Sequence, residues 1–189
     1  MDISIKLLAP EHWTDLERLF GDKGAVGGCW CMYWRQPKGE KWEDVKGAEN
    51  KRRFKTLVES GQAHGALAFD DGEPVGWVSF DPRTEFIKLN RAPSFRCEDA
   101  EQVYSLPCFF IKAGYRGKGI ASQLLEFAVE SLQRRGVKII EGYPAKPSGK
   151  GGAIPAAFAW TGTLPLFTQA GFKPVGKRDG GKQRMRRVF

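Results

Sequence analysis

No run of apolar residues approaches the ~18 that a membrane-spanning helix needs, so no such segment is expected. The first residues, Met1-Asp2-Ile3-Ser4, show no basic stretch followed by an apolar core, which argues against a secretory leader. Cysteine is scarce: four residues in 189, without a framework spacing, point to reduced thiols and a cytoplasmic location. Cys29 and Cys31 form a C-x-C pair, but no second pair or nearby histidine completes a zinc set, and no metal is expected. Histidine is scarcer still. His12 and His64 are the only two, and His64, at the entrance to a strand, reads as structural. Two phosphate signatures are missing as well. Gly117-x-Gly119 is followed by Ser122 where a dinucleotide fingerprint needs a third glycine, and no glycine–lysine pair precedes Ser or Thr as a P-loop requires.

What the chain does have is size and positive charge. With 41% hydrophobic residues, positions 1–189 form one domain able to bury a core. The net charge of +8 favours an anionic partner, and nucleic acid, an acidic membrane surface or a polyphosphate cofactor would each satisfy it.

The most informative stretch runs from Cys108 to Gly136. Phe109-Phe110-Ile111 is short and aromatic enough for a buried strand. A glycine-rich turn follows, Gly114-Tyr115-Arg116-Gly117-Lys118-Gly119. Beyond it Ile120, Leu124, Ala128 and Leu132 recur every four residues, widened by Leu125 and Val129, so the segment is an amphipathic helix ending near Gly136. A strand, a glycine turn and a helix start together aim free backbone N–H groups at the turn, where the helix dipole favours phosphate. Gly117 and Gly119 let the backbone approach an anion closely, and Arg116 and Lys118 add cations.

On the N-terminal side, Ile3, Ile5 and Leu7 alternate as a first strand, and a helix beginning near Pro10 carries Trp13, Leu16, Leu19 and Phe20. Residues 21–46 are too aromatic for a linker. Trp30, Met32, Tyr33, Trp34 and Trp42 are costly to expose, so this loop folds over either a substrate or the core. A helix over Ala48 to Ser60 precedes a strand from His64 to Phe69. Asp70-Asp71-Gly72 then makes a hairpin into Pro74 to Phe80, with Val75, Trp77 and Ser79 on one face. Residues 82–100 are irregular, with a helical turn near Phe86 to Leu89. The sheet resumes over Val103 to Ile111, where Pro107 calls for a bulge or a splayed strand. A strand over Val137 to Tyr143, a loop over Pro144 to Pro155, a helix over Phe158 to Gly171 and two strands around Asp179-Gly180-Gly181 complete the chain.

Arg116-x-x-Gly119-x-Ala121 resembles the R/Q-x-x-G-x-G/A signature of the GNAT superfamily of N-acetyltransferases, and Leu166-Phe167-x-x-x-Gly171-Phe172 resembles that superfamily's L-Y-x-x-x-G-F block. The element order agrees from end to end. The resemblance implies an α/β (α+β) GNAT fold, with a mixed, mostly antiparallel central sheet splayed at strands four and five and helices on both faces. It also implies acetyl-CoA as co-substrate and an amine as acceptor. Phe109, Phe110 and Ile111 would pair through their backbone with the pantetheine amides. Arg116, Gly117, Lys118, Gly119, Ile120, Ala121 and Ser122 would hold the pyrophosphate.

Direct attack on the thioester needs a neutral amine and a stabilised thiolate. With a lysine pKa of about 10.4, roughly one amine in 2,500 is neutral at pH 7. The chain departs from the superfamily where those needs are usually met. The tyrosine that donates a proton is Phe167, the asparagine seven residues earlier is Trp160, and the fourth strand offers Ser105 in place of a carboxylate. Glu141 is then the candidate base, with a solvent-facing or ion-paired role as the alternative, and Cys108 or Tyr143 the candidate proton donor. Trp30, Tyr33 and Trp34, with the loop 144–157, would flank the acceptor, either a small molecule or a peptide. The alternative function is a non-catalytic module binding CoA or nucleic acid. Nucleic acid is disfavoured because the aromatics cluster while the cations scatter. No membrane partner is expected, and the chain is expected to be a monomer or homodimer.

Overall fold

The alternating and aromatic runs become strands of a single sheet in the computed structural model, which describes residues 1–145, 154, 159–176 and 182–189. β1 (Ile3–Leu7), β2 (Gly65–Asp70), β3 (Glu73–Pro82), β4 (Val103–Ile111), β5 (Ile139–Gly142), β6 (Lys173–Pro174) and β7 (Met185–Val188) lie in the order β1-β2-β3-β4-β5-β7-β6. Every pairing is antiparallel except that of β4 with β5. The helices are α1 (Trp13–Phe20), α2 (Trp42–Val45), α3 (Ala48–Glu59), α4 (Ile120–Arg134) and α5 (Leu164–Gln169). Among the described residues no helix is long and apolar enough to cross a membrane.

The sheet's two faces make two cores. On one, α4 buries Ile120, Leu124, Leu125, Ala128, Val129 and Leu132 against Ala66, Ala68, Val75 and Val78. On the other, Trp13, Leu16 and Phe20 of α1 and Phe54 of α3 meet Leu67, Phe69 and Trp77. Val75 therefore does not share a face with Trp77. Between Ala68↔Gly76 and Phe69↔Pro74 the third strand carries one extra residue, and that bulge turns Val75 to the α4 side.

The feature that positions the site is a fork. β4 and β5 run parallel only from Val103↔Ile139 to Leu106↔Gly142. Against β3, Ser79 faces Cys108 and Asp81 faces Ser105, three steps on β4 for two on β3. The bulge thus falls at Leu106–Pro107, where proline's missing N–H costs no ladder bond. Trp34 Nε1 donates to the Pro107 carbonyl at 3.2 Å. β5 leads away to Ala145, which bridges Thr163 and Lys182. Phe167 wedges the fork. A Cβ on Gly142 would lie 2.0 Å from its ring and one on Gly162 2.7 Å, and the ring meets Phe109 and Phe172 at centroid separations of 6.0 and 5.1 Å.

The expected helix over Phe158 to Gly171 is shorter than its pattern. A 3-10 turn, Ala159–Thr161, is broken at Gly162, whose φ is +81°, before α5 starts with Thr163 accepting from the Leu166 N–H. Residues 82–102 hold 3-10 turns, one at Ile87–Asn90 where a helical turn was anticipated. Phe158, the Asp179-Gly180-Gly181 turn and most of the loop 144–157 lie outside the described residues.

Candidate active site

The first cavity, about 510 Å³, opens over the start of α4. Phe109, Phe110 and Ile111 of β4 line it, with Arg116, Gly117, Gly119, Ala121 and Ser122 of the turn. Gly119 caps α4 in the left-handed region at φ 81°, and no side chain caps the helix. The Ser122 and Gln123 amides both reach the Gly119 carbonyl at 3.1 Å. That leaves the Ile120 and Ala121 amides without an acceptor among the described residues, which is the polarity an anion seeks. Arg116 is steadied by donating from Nε to the Ile111 carbonyl at 3.0 Å. Two residues of the expected set do not line the cavity with their side chains. Ile120 is buried in the core under the helix, and the Lys118 ammonium lies over the Tyr115 ring at 5.2 Å. α5 and the turn before it close the other wall, through Trp160, Gly162, Thr163 and Leu166.

A second cavity of about 260 Å³ lies across β4 on the α1 face. Val26, Phe109, Phe110 and Trp160 line both, so the two meet along the open side of β4. The second cavity is almost wholly apolar. Tyr33 and Trp34 line it as expected, joined by Trp42, Phe86 and Trp160. Trp30 does not. It sits in the core, 6.0 Å from Trp13 and 5.5 Å from Phe20 ring to ring, because the loop passes through left-handed backbone at Trp30 and Cys31 (φ 42° and 55°) and turns that side chain inward.

Three thiols also line this cavity, those of Cys29, Cys31 and Cys108. Cys31 and Cys108 touch at 3.7 Å, and the Trp77 indole donates to Cys31 Sγ at 3.0 Å. The Cys31 contact, together with burial, pushes the Cys108 thiol well above its usual range, and burial pushes Cys29 up to about 11. Both stay protonated at neutral pH, so neither is a ready base or nucleophile. Among the described residues no carboxylate or histidine lines either cavity, and no group of residues there could hold a metal ion.

The other two expected catalytic residues stand at the closed end of the fork. Glu141 is fully buried. Its Oε2 faces Arg83 at 3.1 Å and accepts from the Tyr143 hydroxyl at 3.0 Å, while Oε1 accepts from Arg186 at 2.7 Å. Arg186 also forks onto Asp99 at 2.7 and 2.9 Å, holding that carboxyl below its usual range. Tyr143 additionally contacts Arg83 and takes the Ser105 hydroxyl at 2.7 Å. Burial, then the charge of Glu141, pushes the Tyr143 phenol far above its usual range. Neither Glu141 nor Tyr143 lines either of these two cavities. Both carboxylate oxygens face guanidinium groups, the arrangement of the ion-paired alternative for Glu141.

Of the three candidates, then, only Cys108 reaches the wall of either cavity. Trp42, Phe86 and Trp160 are walls that sequence reasoning did not assign to the acceptor. Their only signal was a surplus of aromatics in segments too polar to be core.

Residues 28–145 match the acetyltransferase (GNAT) family. No curated protein matches the chain. Among solved structures, the chain is similar to the PaiA N-acetyltransferase of Thermoplasma acidophilum in complex with coenzyme A (TM-score 0.59, 17% identity, all of both chains covered). It is also similar to YncA, a putative acetyltransferase of Salmonella typhimurium with its cofactor acetyl-CoA (0.58, 12%, 98% of this chain and 93% of that one). A third is the ribosomal-protein-alanine N-acetyltransferase of Brucella melitensis (0.57, 17%, 98% and 99%).

Proposed function

Because this chain belongs to the acetyltransferase (GNAT) family, we propose that it moves the acetyl group of acetyl-CoA directly to a primary amine, with the thioester lying where its two cavities meet. The observation that carries this reading is the shared wall, Val26, Phe109, Phe110 and Trp160, between an anion-ready cleft and an apolar chamber. The similar proteins that hold coenzyme A and acetyl-CoA support acetyl-CoA as the donor.

In this reading the backbone of Phe109 to Ile111, unpaired with β5 beyond Leu106, takes the pantetheine amides. The turn from Arg116 to Ser122 takes the pyrophosphate through the amides of Ile120 and Ala121, with Arg116 adding charge. The amine nitrogen attacks the acetyl carbon, a C–N bond forms, and the C–S pair leaves on sulfur. Glu141 and Tyr143 serve the scaffold. The amine sheds its proton to water or arrives without it, and holding two reactants in register supplies several kcal/mol without an acid or base. Cys108, protonated and on the wall, is the one of the three candidate residues that could offer a hydrogen to the sulfur.

The test is calorimetric titration with acetyl-CoA, followed by free-thiol release across an amine panel with mass-spectrometric detection of the N-acetylated product. Binding together with amine-dependent thiol release is the expected result. Thiol release that no amine accelerates would overturn it.

A further inference from the structure

The chamber next to the thioester has a charge pattern of its own. Its aromatic walls form a connected set, with Tyr33 at 5.1 Å from Trp34, 5.7 Å from Trp42 and 5.3 Å from Trp160, ring to ring. Such rings commonly receive a ligand's ammonium through the cation–π attraction. Here the protein's own cations already occupy that role. The Lys88 ammonium lies 3.9 Å from the centre of the Tyr33 ring and 5.6 Å from that of Trp42. Lys182 lies 5.2 Å from Trp160, and the Arg35 guanidinium 4.8 Å from Phe86.

Only Arg35 has carboxylate partners, Asp81 and Glu85. Asp81 is fully buried and also holds His64, so it offers nothing to a ligand. Lys88 and Lys182 have no carboxylate partner among the described residues, and burial pulls both ammonium groups below their usual range. None of these three cations lines the chamber itself: its walls are apolar, and the unpaired charges set against its rings, Lys88 and Lys182, are both positive. An ammonium entering it would lose water and find no carboxylate among the described wall residues, with only cations set against the rings.

We propose that the acceptor is a flat, apolar amine taken up uncharged, an arylamine, and that Lys88 helps exclude acceptors that carry an ammonium. The inference rests on the acetyl-transfer reading above and narrows its acceptor. Aniline-type nitrogens share their lone pair with the ring and are uncharged at neutral pH, so they need no base, which matches the absence of a carboxylate among the described wall residues. Peptide lysines and polyamines bring the wrong charge.

Two measurements test this. First, with acetyl-CoA saturating, kcat/KM is compared for aniline, benzylamine, putrescine and spermidine. Aniline should exceed the polyamines by ~100-fold or more, since burial acts against the cation, with benzylamine between them. Lys88→Met should narrow that gap by about tenfold, through faster polyamine turnover, with acetyl-CoA affinity and melting temperature held. Second, the chamber is titrated by tryptophan fluorescence with coenzyme A bound, using benzyl alcohol and benzylamine as a neutral and a charged probe of one shape. The alcohol should bind at least about tenfold tighter.

Polyamines used as well as aniline, or benzylamine binding tighter than the alcohol, would overturn the proposal. Acetyl-CoA binding with no amine in the panel acetylated would overturn the acceptor class. Absence of acetyl-CoA binding would instead remove the reading beneath it, an outcome that calorimetry distinguishes.

Discussion

The two ends of the β4–β5 pair are made of opposite materials. At the closed end, from Val103 to Leu106, the neighbours of the pair are Arg83, Arg186, Asp99, Glu141 and Tyr143, a network buried at Arg83, Glu141 and Tyr143 and half-buried at Arg186 and Asp99, in which each charge has a counter-charge. At the open end, from Pro107 onward, the walls are aromatic rings and protonated thiols, and Arg116 is the one charged side chain lining either cavity among the described residues. The difference separates two jobs. Ion pairs pin the strands where they must stay together, and the region where a thioester would react is left without a carboxylate that would keep an amine protonated. A sequence shows a glutamate next to a strand end. Only the fold shows which side of the fork it serves.

That contrast can be broken from either end. The largest effect is expected from Glu141→Gln. Removing one partner of a buried network leaves Arg83 and Arg186 facing each other and should cost about 3–5 kcal/mol of stability, read as a lower melting temperature. Turnover per folded molecule should stay near that of the parent. If Glu141 were the base, the result would invert, with ~10²–10⁴ lost in rate and stability little changed.

At the open end, Gly119→Glu should weaken acetyl-CoA binding more than tenfold in calorimetry, because a side chain at φ 81° distorts the turn and a carboxylate repels the phosphates. Equal affinity for the folded variant and the parent would show that the anion sits elsewhere. At the junction, Phe167→Tyr should be mildest. Its hydroxyl would be pressed among Gly142, Gly162 and Phe109 without a partner, at a cost of about 1–3 kcal/mol, and turnover should change little. A loss of turnover beyond ~100-fold in a folded variant would place this ring at the reacting atoms and dissolve the boundary between the ends.

Legibility followed the same division. The β4–turn–α4 unit was readable because its information is local: an apolar run, glycines with positive φ and a four-residue repeat all lie within Cys108 to Gly136. Pro107 marked the fork for a similar reason, since a residue without an N–H has few places in a sheet. The closed end was opaque because Glu141 meets Arg83 and Arg186 across sequence separations of 58 and 45 residues, which no local pattern encodes. The aromatic loop fell between these cases. Its composition announced burial, but the left-handed backbone at Trp30 and Cys31 decides that Trp30 goes to the core while Trp34 faces the chamber. Trp160 and Phe86 join that wall only through tertiary packing.

The fork also has a consequence for the unliganded protein. Parting β4 from β5 creates an edge strand in the middle of a sheet, the kind of exposed ladder that templates pairing with another chain and that proteins normally blunt with charge, proline or a covering element. Here Pro107 and the Trp34 indole blunt its first step, and α5 with the turn before it roofs the rest. On the reading proposed above, the pantetheine arm is the missing neighbour, a small molecule completing the ladder in place of a strand. Acetyl-CoA would then support the fold as well as serve as a reactant. By mass action a hundredfold excess over its Kd would add about 2.7 kcal/mol to the folded state.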